Sequence, residues 1–508
     1  MKKYIYTLFA AAAAMTMVSS CDFSDFGDIN KSPNSPSTEY TSMLFSHACL
    51  AVPNFIMNSS SYDPWVQEWT GYISEAKNNQ FGPLGTTKNF GTGSYYYYYM
   101  KECNEIIKLN SDADTKDATN VTSFGSNGNQ IGAATTLKAF YMMTLTDILG
   151  ALPYSEAWQG DDDVWLPKFD SQEEIYTALF NELESAYAQF DKSGSLDSTY
   201  DLIYGGNVSK WMKLNATIRM MMAIKLADVD PATGKTRFAK AYSDGGMTAN
   251  ADSFNWTYDQ KYRRSNFYDI GNKSNPSRGL GFGPNEVIVN ALKEYKDPRL
   301  FVYTTLDGYL GKRAGEATDF DAYFGIPFGL GSNSEVEDAA SVACSVADRY
   351  CEEQATFGVI TTARCLLVEA EAAQLGWISA SASDLYEAGI KASFDYEGAT
   401  GADAYIAAHP LPADNAAALK EIVMQRFLAG FLTDGIESWS DWRRYNIPVL
   451  PINNGQVKYG YTAYPYRMQY GDNDRLYNQD NYDAAVSKYL GGKDDRWSRV
   501  WWDVADND

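Results

Sequence analysis

Residues 131–157 read IGAATTLKAFYMMTLTDILGALPYSEA. Leu137, Tyr141, Leu145 and Ile148 recur at helical spacing, so they share one stripe and predict a helix from Ile131 to Leu149. Gly150 tolerates the left-handed conformation that closes a helix. Pro153 prevents continuation, because it lacks a backbone N–H and its ring crowds the preceding turn. A helix this apolar, stopped this sharply, belongs inside a packed helical frame.

The same grammar continues outward. Ser171-Gln172-Glu173-Glu174 is a capping-box pattern followed by Ile175, Leu179, Leu183 and Ala186 at helical spacing. Asn207 can cap a helix running to Leu226, with Trp211, Asn215, Ile218 and Met222 on one face and Met and Leu on the others, as expected of a helix buried between neighbours. Asn215 on this helix is expected to satisfy a neighbouring backbone group. Further helices are predicted over 356–375 with Ile360, Arg364 and Leu367, over 382–396, and over 414–432 with Leu419, Ile422, Arg426 and Phe427. They come in pairs, like right-angled hairpins stacked side by side. No clean tetratricopeptide consensus repeats at 34 residues, so the pattern supports a degenerate helical repeat. The stretches 191–206, 228–285 and 306–350 are rich in Gly, Ser, Asn and Asp and read as loops or short strands over that frame, where a binding surface is expected.

The front of the chain carries an address. Lys2 and Lys3 precede the apolar run Tyr4–Val18, and Ser19-Ser20-Cys21 follows. A charged start, an apolar centre and small residues before a cleavage point make an export signal. Ending at a cysteine, it resembles a bacterial lipobox in which Cys21 is acylated, since thiolate chemistry suits acyl transfer. The run is shorter than the roughly 20 residues needed to span a bilayer. The expected organisation is a lipoprotein signal peptide over 1–20, an acylated tether over 21–39, and a single body over 40–508. That body has helical hairpins around 131–227 and 356–432 and loop-rich, ligand-facing insertions around 228–350.

Composition narrows the function. Sixty-five acidic residues against 42 basic ones give a formal net charge of -23 across 508 residues, and no basic stripe relieves it, which argues against nucleic acid. Attachment to anionic lipid would have to rest on acyl chains. The alternating strands of an outer-membrane barrel are missing from the pattern. Cys49, Cys103, Cys344, Cys351 and Cys365 remain after Cys21; Cys344 and Cys351 could pair, but no disulfide scaffold is implied. His47 and His409 form no zinc constellation with cysteines at motif spacing, so no metal or other cofactor is expected.

Thirty-seven tyrosines and 12 tryptophans are many for so acidic a chain. Tyr and Trp combine an apolar face with a polar edge, which suits sugars, peptides and protein interfaces. If 62–74 is helical, Trp65, Trp69 and Tyr72 lie on one side, a stripe that serves a core more often than a ligand. In the run Tyr95–Tyr99 a helix would separate Tyr95 and Tyr99 from Tyr97, so some of these rings pack. Asn78, Asn79 and Gln80 place neutral amides among aromatics, able to bond hydroxyls or peptide groups without a charge penalty. Trp256, Tyr258, Tyr262, Phe267 and Tyr268 with Arg263 and Arg264 form a second patch, and Tyr323-Phe324 a third. The candidate ligand-binding residues are Trp65, Trp69, Tyr72, Asn78, Asn79, Gln80, Tyr258, Tyr268 and Tyr323.

Catalysis has little support. Paired carboxylates for glycoside hydrolysis must straddle one bond, a separation that spacing along the chain does not establish. Asp161-Asp162-Asp163 reads as a solvated turn or weak cation site, without the alternating oxygens of a calcium loop. There is no G-x-S-x-G elbow, P-loop or H-E-x-x-H, so the chain is read as a non-enzyme with no catalytic residues.

Taken in order, several segments resemble the SusD/RagB family of nutrient-binding outer-membrane lipoproteins of the Bacteroidetes, in its SusD-like branch. They begin at Cys21, the acidic Asp22, Asp25 and Asp28, then Asp28-Ile29-Asn30 and Pro33-Asn34. Thr146–Gly150 with Leu152–Ala157 is similar to the family's helix-ending pattern, and Pro167–Tyr176 to its next helix start. Tyr204–Asn207 and Trp211–Asn215 precede a long buried helix, here with Met220–Met222 in place of its usual arginines. Tyr464–Arg467, Asn478–Tyr482 and Arg499–Asp503 close the series. Trp211, Trp501 and Trp502 are read as packing residues. The resemblance implies a mainly α fold, a tetratricopeptide-like helical-repeat frame with an irregular, loop-rich ligand-binding portion. It also implies a lipid-anchored protein on the outer face of the outer membrane, capping a SusC-like TonB-dependent transporter. The cargo would be oligosaccharide, with peptide as the alternative; a helical scaffold and a surface glycoside hydrolase are the remaining readings.

Overall fold

The computed structural model describes residues 39–53, 65–75, 89–90, 93, 95–259, 264–265, 268, 282–308, 311–312, 315–433, 435–453, 457 and 462–504. Residues 1–40 and Thr41–Asp508 are separate units. Of the first only Glu39 and Tyr40 are described, so the signal segment and Cys21 lie outside the described residues. The second unit is mainly helical. Its helices of nine or more residues are α1 (Thr41–Cys49), α2 (Lys101–Ser111), α3 (Asn127–Leu149), α4 (Gln172–Tyr187), α5 (Val208–Ile224), α6 (Pro231–Asp244), α7 (Glu286–Glu294), α8 (Asn333–Val342), α9 (Thr362–Gln374), α10 (Ala382–Glu397), α11 (Asn415–Ala429), α12 (Gly435–Tyr445) and α13 (Gln479–Tyr489). Strands of three or more residues are β1 (Ile73–Glu75), β2 (Phe254–Thr257), β3 (Phe282–Pro284) and β4 (Thr356–Ile360).

Helix α3 starts one turn before the apolar stripe, because the Ser126 side chain accepts the Asn129 N–H. It is buried almost all round, packed by α2, α4 and α5. It ends where Gly150 takes φ +86° with ψ −124°, a conformation open to glycine rather than the left-handed helical cap that was expected. The capping box at α4 forms in full: Ser171 Oγ accepts from Glu174 N–H, and the Glu174 carboxylate accepts from Ser171 N–H at 2.7 Å. Asn207 caps α5. Asn215 donates to the Leu183 carbonyl and to Thr136 Oγ1, both at 3.1 Å, and so pins α5 to α4 and α3. The pairs α3–α4, α5–α6 and α9–α10, with α11 against α9, make the tetratricopeptide-like frame.

Three expectations are corrected. The helix over 356–375 begins only at Thr362, where Thr361 Oγ1 caps Arg364 N–H; Thr356–Ile360 is instead β4, antiparallel to β2. That segment reads TFGVI, and its β-branched residues favour a strand where a helix-period count alone does not object. The presumed helix over 62–74 is, among its described residues, the short Trp65–Trp69 helix, a turn at Gly71 with φ +77°, and β1. The stretches 228–285 and 306–350 contain α6, capped by Asp230 with Pro231 at its first position, and α8, capped by Ser332.

Charges hold the frame from within. Asp147, fully buried at the end of α3, pairs with Lys225 at 2.6 Å and accepts from Tyr176 Oη at 2.6 Å and Trp502 Nε1 at 2.7 Å. Lys225 also reaches Glu437 of α12 at 2.8 Å. A second group centres on Glu371 of α9, which receives Arg426 of α11, Arg444 of α12 at 2.7 Å and Tyr445 at 2.7 Å. Burial alone would raise the Glu371 pKa; the Arg426 and Arg444 guanidiniums outweigh it and hold the carboxyl at about 2. Each carboxylate therefore ties together helices far apart in sequence.

Candidate functional site

Asn285 organises the most distinctive surface edge. Its backbone N–H donates to the Tyr72 carbonyl at 2.9 Å, and its side chain caps Val287 N–H at the start of α7. The amide also donates to Ser74 Oγ of β1 and, at 3.0 Å, to the Ile326 carbonyl. One buried side chain thus joins β1, the end of β3 and the segment through Ile326. The register is antiparallel for β1 and β3, with Ile73 opposite Pro284 and Glu75 opposite Phe282. Ile326 lies parallel to Asn285: its N–H donates to the Pro284 carbonyl at 2.8 Å, and its carbonyl accepts the Glu286 N–H at 3.1 Å. At Gly283 a Cβ would stand 2.7 Å from the terminal methyl of Ile326, so a side chain here would oblige Ile326 to shift.

At one end of this strand pair stand Glu75 and Phe282. Glu75 is the last described residue before 76–88, and Phe282 is the first after 269–281. Phe324 lies two residues before the bridge that Ile326 makes with Asn285. An extended segment alternates its side chains, and the alternation decides what is offered: Tyr323 is buried, whereas Phe324 is 50% exposed. The Phe324 carbonyl accepts Cys344 N–H at 2.8 Å. Lys293 donates to the Tyr323 carbonyl at 2.9 Å with its Nζ 4.8 Å from the Phe324 ring centroid. The outcome is an open apolar face on a backbone held from both sides, with a cation beside it.

The structure separates the sequence candidates. Tyr72 is buried, stacked on Phe427 at 4.9 Å, and its hydroxyl donates to the Phe427 carbonyl at 2.9 Å and lies 2.8 Å from Ser438 Oγ. From Tyr72 an aromatic ladder passes through Phe431, Tyr350 and Phe357 to Tyr258, in steps of 5.8–6.1 Å. Tyr258 is likewise buried, so the two rings brace the roots of β1 and β2 and present no face outward. Trp69 packs edge-on against Trp439 in the core. Tyr323 lies against Phe301 and donates its hydroxyl to Ala317. Burial of these four follows from the gain in removing large rings from water. Tyr268 is half-buried beneath Arg264, 5.5 Å from its ring centroid. Trp65 begins its short helix; Asn78, Asn79 and Gln80 lie outside the described residues.

Sequence reasoning named Phe324 only as part of a patch, choosing Tyr323 as the candidate, and passed over Asn285. Asn285 carried a signal, an N-cap residue directly before the apolar run Val287-Ile288-Val289. Cys344 and Cys351, offered above as a pair, are buried thiols with no disulfide between them, and Cys49, Cys103 and Cys365 are likewise buried thiols outside any disulfide. Burial pushes the Cys49, Cys103 and Cys365 thiols up, away from the reactive thiolate. Among the described residues no group of three or more His, Cys, Asp or Glu could hold a metal ion, and no helix is long and apolar enough to cross a membrane.

Comparison with known proteins gives this architecture a family. No curated protein matches the chain. A solved chitin-binding protein superimposes with a TM-score of 0.75 at 25% identity, covering 91% of this chain and 99% of that one. A chitin-binding SusD homologue from Flavobacterium johnsoniae gives 0.73 at 25% identity, covering 91% and 100%. A SusD homologue from Bacteroides fragilis shares the fold, with a TM-score of 0.75 at 23% identity over 91% and 99% of the two chains. Residues 33–471 match the SusD-like family described as starch-binding and associating with the outer membrane, whose members are binding proteins rather than enzymes, and the chain belongs to that family.

Proposed function

We propose that this protein captures oligosaccharide at the cell surface and passes it to a SusC-like, TonB-dependent outer-membrane transporter. In this reading residues 1–20 are removed, acylated Cys21 holds the chain to the outer membrane, 21–39 is the tether, and a single body follows from residue 40. The observation that carries it is the exposed ring of Phe324, two residues before the Ile326–Asn285 bridge at the β1–β3 strand pair. Aromatic faces bind the C–H faces of sugar rings, and neutral amides satisfy their hydroxyls. Asn78, Asn79, Gln80 and Tyr268 are assigned to this surface with Phe324, and Trp65 to its margin. Trp69, Tyr72, Tyr258 and Tyr323 are assigned to bracing it. Two relatives at 25% identity that are themselves chitin-binding favour oligosaccharide over peptide.

Calorimetric titration of the purified protein with soluble starch oligosaccharides, chitin oligosaccharides and a peptide panel tests the reading. Saturable binding of one oligosaccharide class is expected, with the sugar recovered at its original length. Binding of peptide alone would move the assignment to peptide capture, and shortened sugar would make the protein a hydrolase.

A further inference from the structure

The largest exposed apolar side chains cluster away from the strand edge. Trp165 and Leu166 are 74% and 60% exposed, Leu476 and Tyr477 61% and 75%. The two pairs are more than 300 residues apart in sequence but clamped together: Asn478 Nδ2 donates to the Pro167 carbonyl at 2.7 Å, and Asn481 Nδ2 to the Leu166 carbonyl at 2.9 Å. Beneath them Tyr470 packs on Phe169 at 5.4 Å and on Tyr482 at 5.9 Å, and the Tyr482 hydroxyl bonds Asp494 at 3.1 Å. Trp165 rests over Gly160, where a Cβ would stand 3.5 Å from its ring. The ridge is therefore rigidly backed while its outer face is open. Rigid Trp and Tyr side chains on a fixed base, with leucine between them, make a protein-binding hot spot.

Charge says what kind of surface fits. Across 159–168 and 472–488, Asp161, Asp162, Asp163, Asp472, Asp480 and Asp483 are exposed, against Lys168, Arg475 and Lys488. Arg475 is paired with Asp472 at 3.1 Å and Lys108 with Asp161 at 3.4 Å, while Lys168 lies 3.8 Å from both Glu156 and Asp170, which leaves Asp162, Asp163, Asp480 and Asp483 to set an acidic rim. An apolar ridge with an acidic rim selects an apolar recess framed by lysine or arginine. A second copy of this chain would set like charge against like, and anionic lipid heads would be repelled. A sugar would gain little from two leucines, and the amides of Asn478 and Asn481 are spent on inward carbonyls.

We infer that Trp165, Leu166, Leu476 and Tyr477 form a docking ridge for a protein surface with an apolar, basic-rimmed recess, carried by the outer-membrane transporter. This rests on the transporter reading given above. The test isolates the full lipidated chain from its own outer membrane in mild detergent and identifies what accompanies it by mass spectrometry. Wild type is compared with a Trp165→Ser, Tyr477→Ser double variant and with an Asp161→Lys, Asp162→Lys variant. Calorimetry with the oligosaccharide bound by wild type runs alongside.

Wild type should carry a TonB-dependent transporter. Both variants should fold and keep sugar affinity, while the double variant loses transporter by at least about tenfold and the charge variant weakens most at low salt. Equal retention of transporter by wild type and the double variant would overturn the ridge and leave the transporter reading standing. Absence of a transporter from wild type would overturn both. Retained transporter with lost sugar affinity would make the ridge a glycan site and reject docking.

Discussion

Trp211, Trp439 and Trp502 each turn the indole N–H to an internal acceptor: Asp201 at 2.8 Å, the Pro465 carbonyl at 3.1 Å and Asp147 at 2.7 Å. Trp165 belongs to the same residue type, yet three-quarters of it meets solvent. The contrast between the interior and the ridge shows that aromatic abundance does not mark a ligand platform. Among the described residues most rings serve the interior, where Trp211, Trp439 and Trp502 each fill a cavity and satisfy an acceptor. A ring is available to a partner only where backbone direction turns it outward, as at Trp165, Tyr477 and Phe324.

The sharpest way to break the contrast is to damage the interior. Glu371→Ala would leave Arg426 and Arg444 buried without their shared carboxylate, so a loss of about 3–5 kcal/mol is expected in urea unfolding. A loss under 1 kcal/mol would show that the buried charges do not hold the frame. In wild type, the depressed Glu371 pKa contributes stability that is complete above the unfolded value of about 4.3 and is lost as pH falls toward 2.

A second interior carboxyl has the opposite sign. Burial raises the Glu369 pKa to about 7. The folded state therefore binds more protons than the unfolded chain between about pH 4.3 and 7, and stability falls as pH rises through that window. Glu369→Gln should remove this slope, gaining on the order of 3 kcal/mol over wild type at pH 8 relative to pH 4. Parallel unfolding free energies for the two proteins across that range would contradict it. The smallest effect belongs to the ridge: Trp165→Ser with Tyr477→Ser should shift unfolding by no more than about 0.5 kcal/mol per site, because neither ring is buried. A larger loss would mean the ridge is structural.

Legibility in the sequence followed the range of the interaction. Ser171, Asn207 and Gly150 announce helix ends because a cap is settled within four residues. The segment 356–360 escaped, since its strand identity depends on β2, a hundred residues earlier. Arg364, Glu371 and Arg426 read as ordinary helix residues until α9, α11 and α12 converge. Tyr323 was preferred to Phe324 because composition marks a patch but not which side of an extended chain each residue takes. The ridge had no local signal, as its two halves meet through an asparagine 311 residues from its acceptor.

The central claim is that outward direction, not ring count, makes the binding surface, and paired titration of Phe324→Ala and Tyr72→Phe with the oligosaccharide held by wild type tests it. The account predicts that Phe324→Ala weakens affinity about tenfold, the order of one stacking contact, with stability unchanged. Tyr72→Phe should bind as wild type does while losing about 1 kcal/mol of stability with its buried hydroxyl bonds. Full affinity in Phe324→Ala together with lost affinity in Tyr72→Phe would contradict the account.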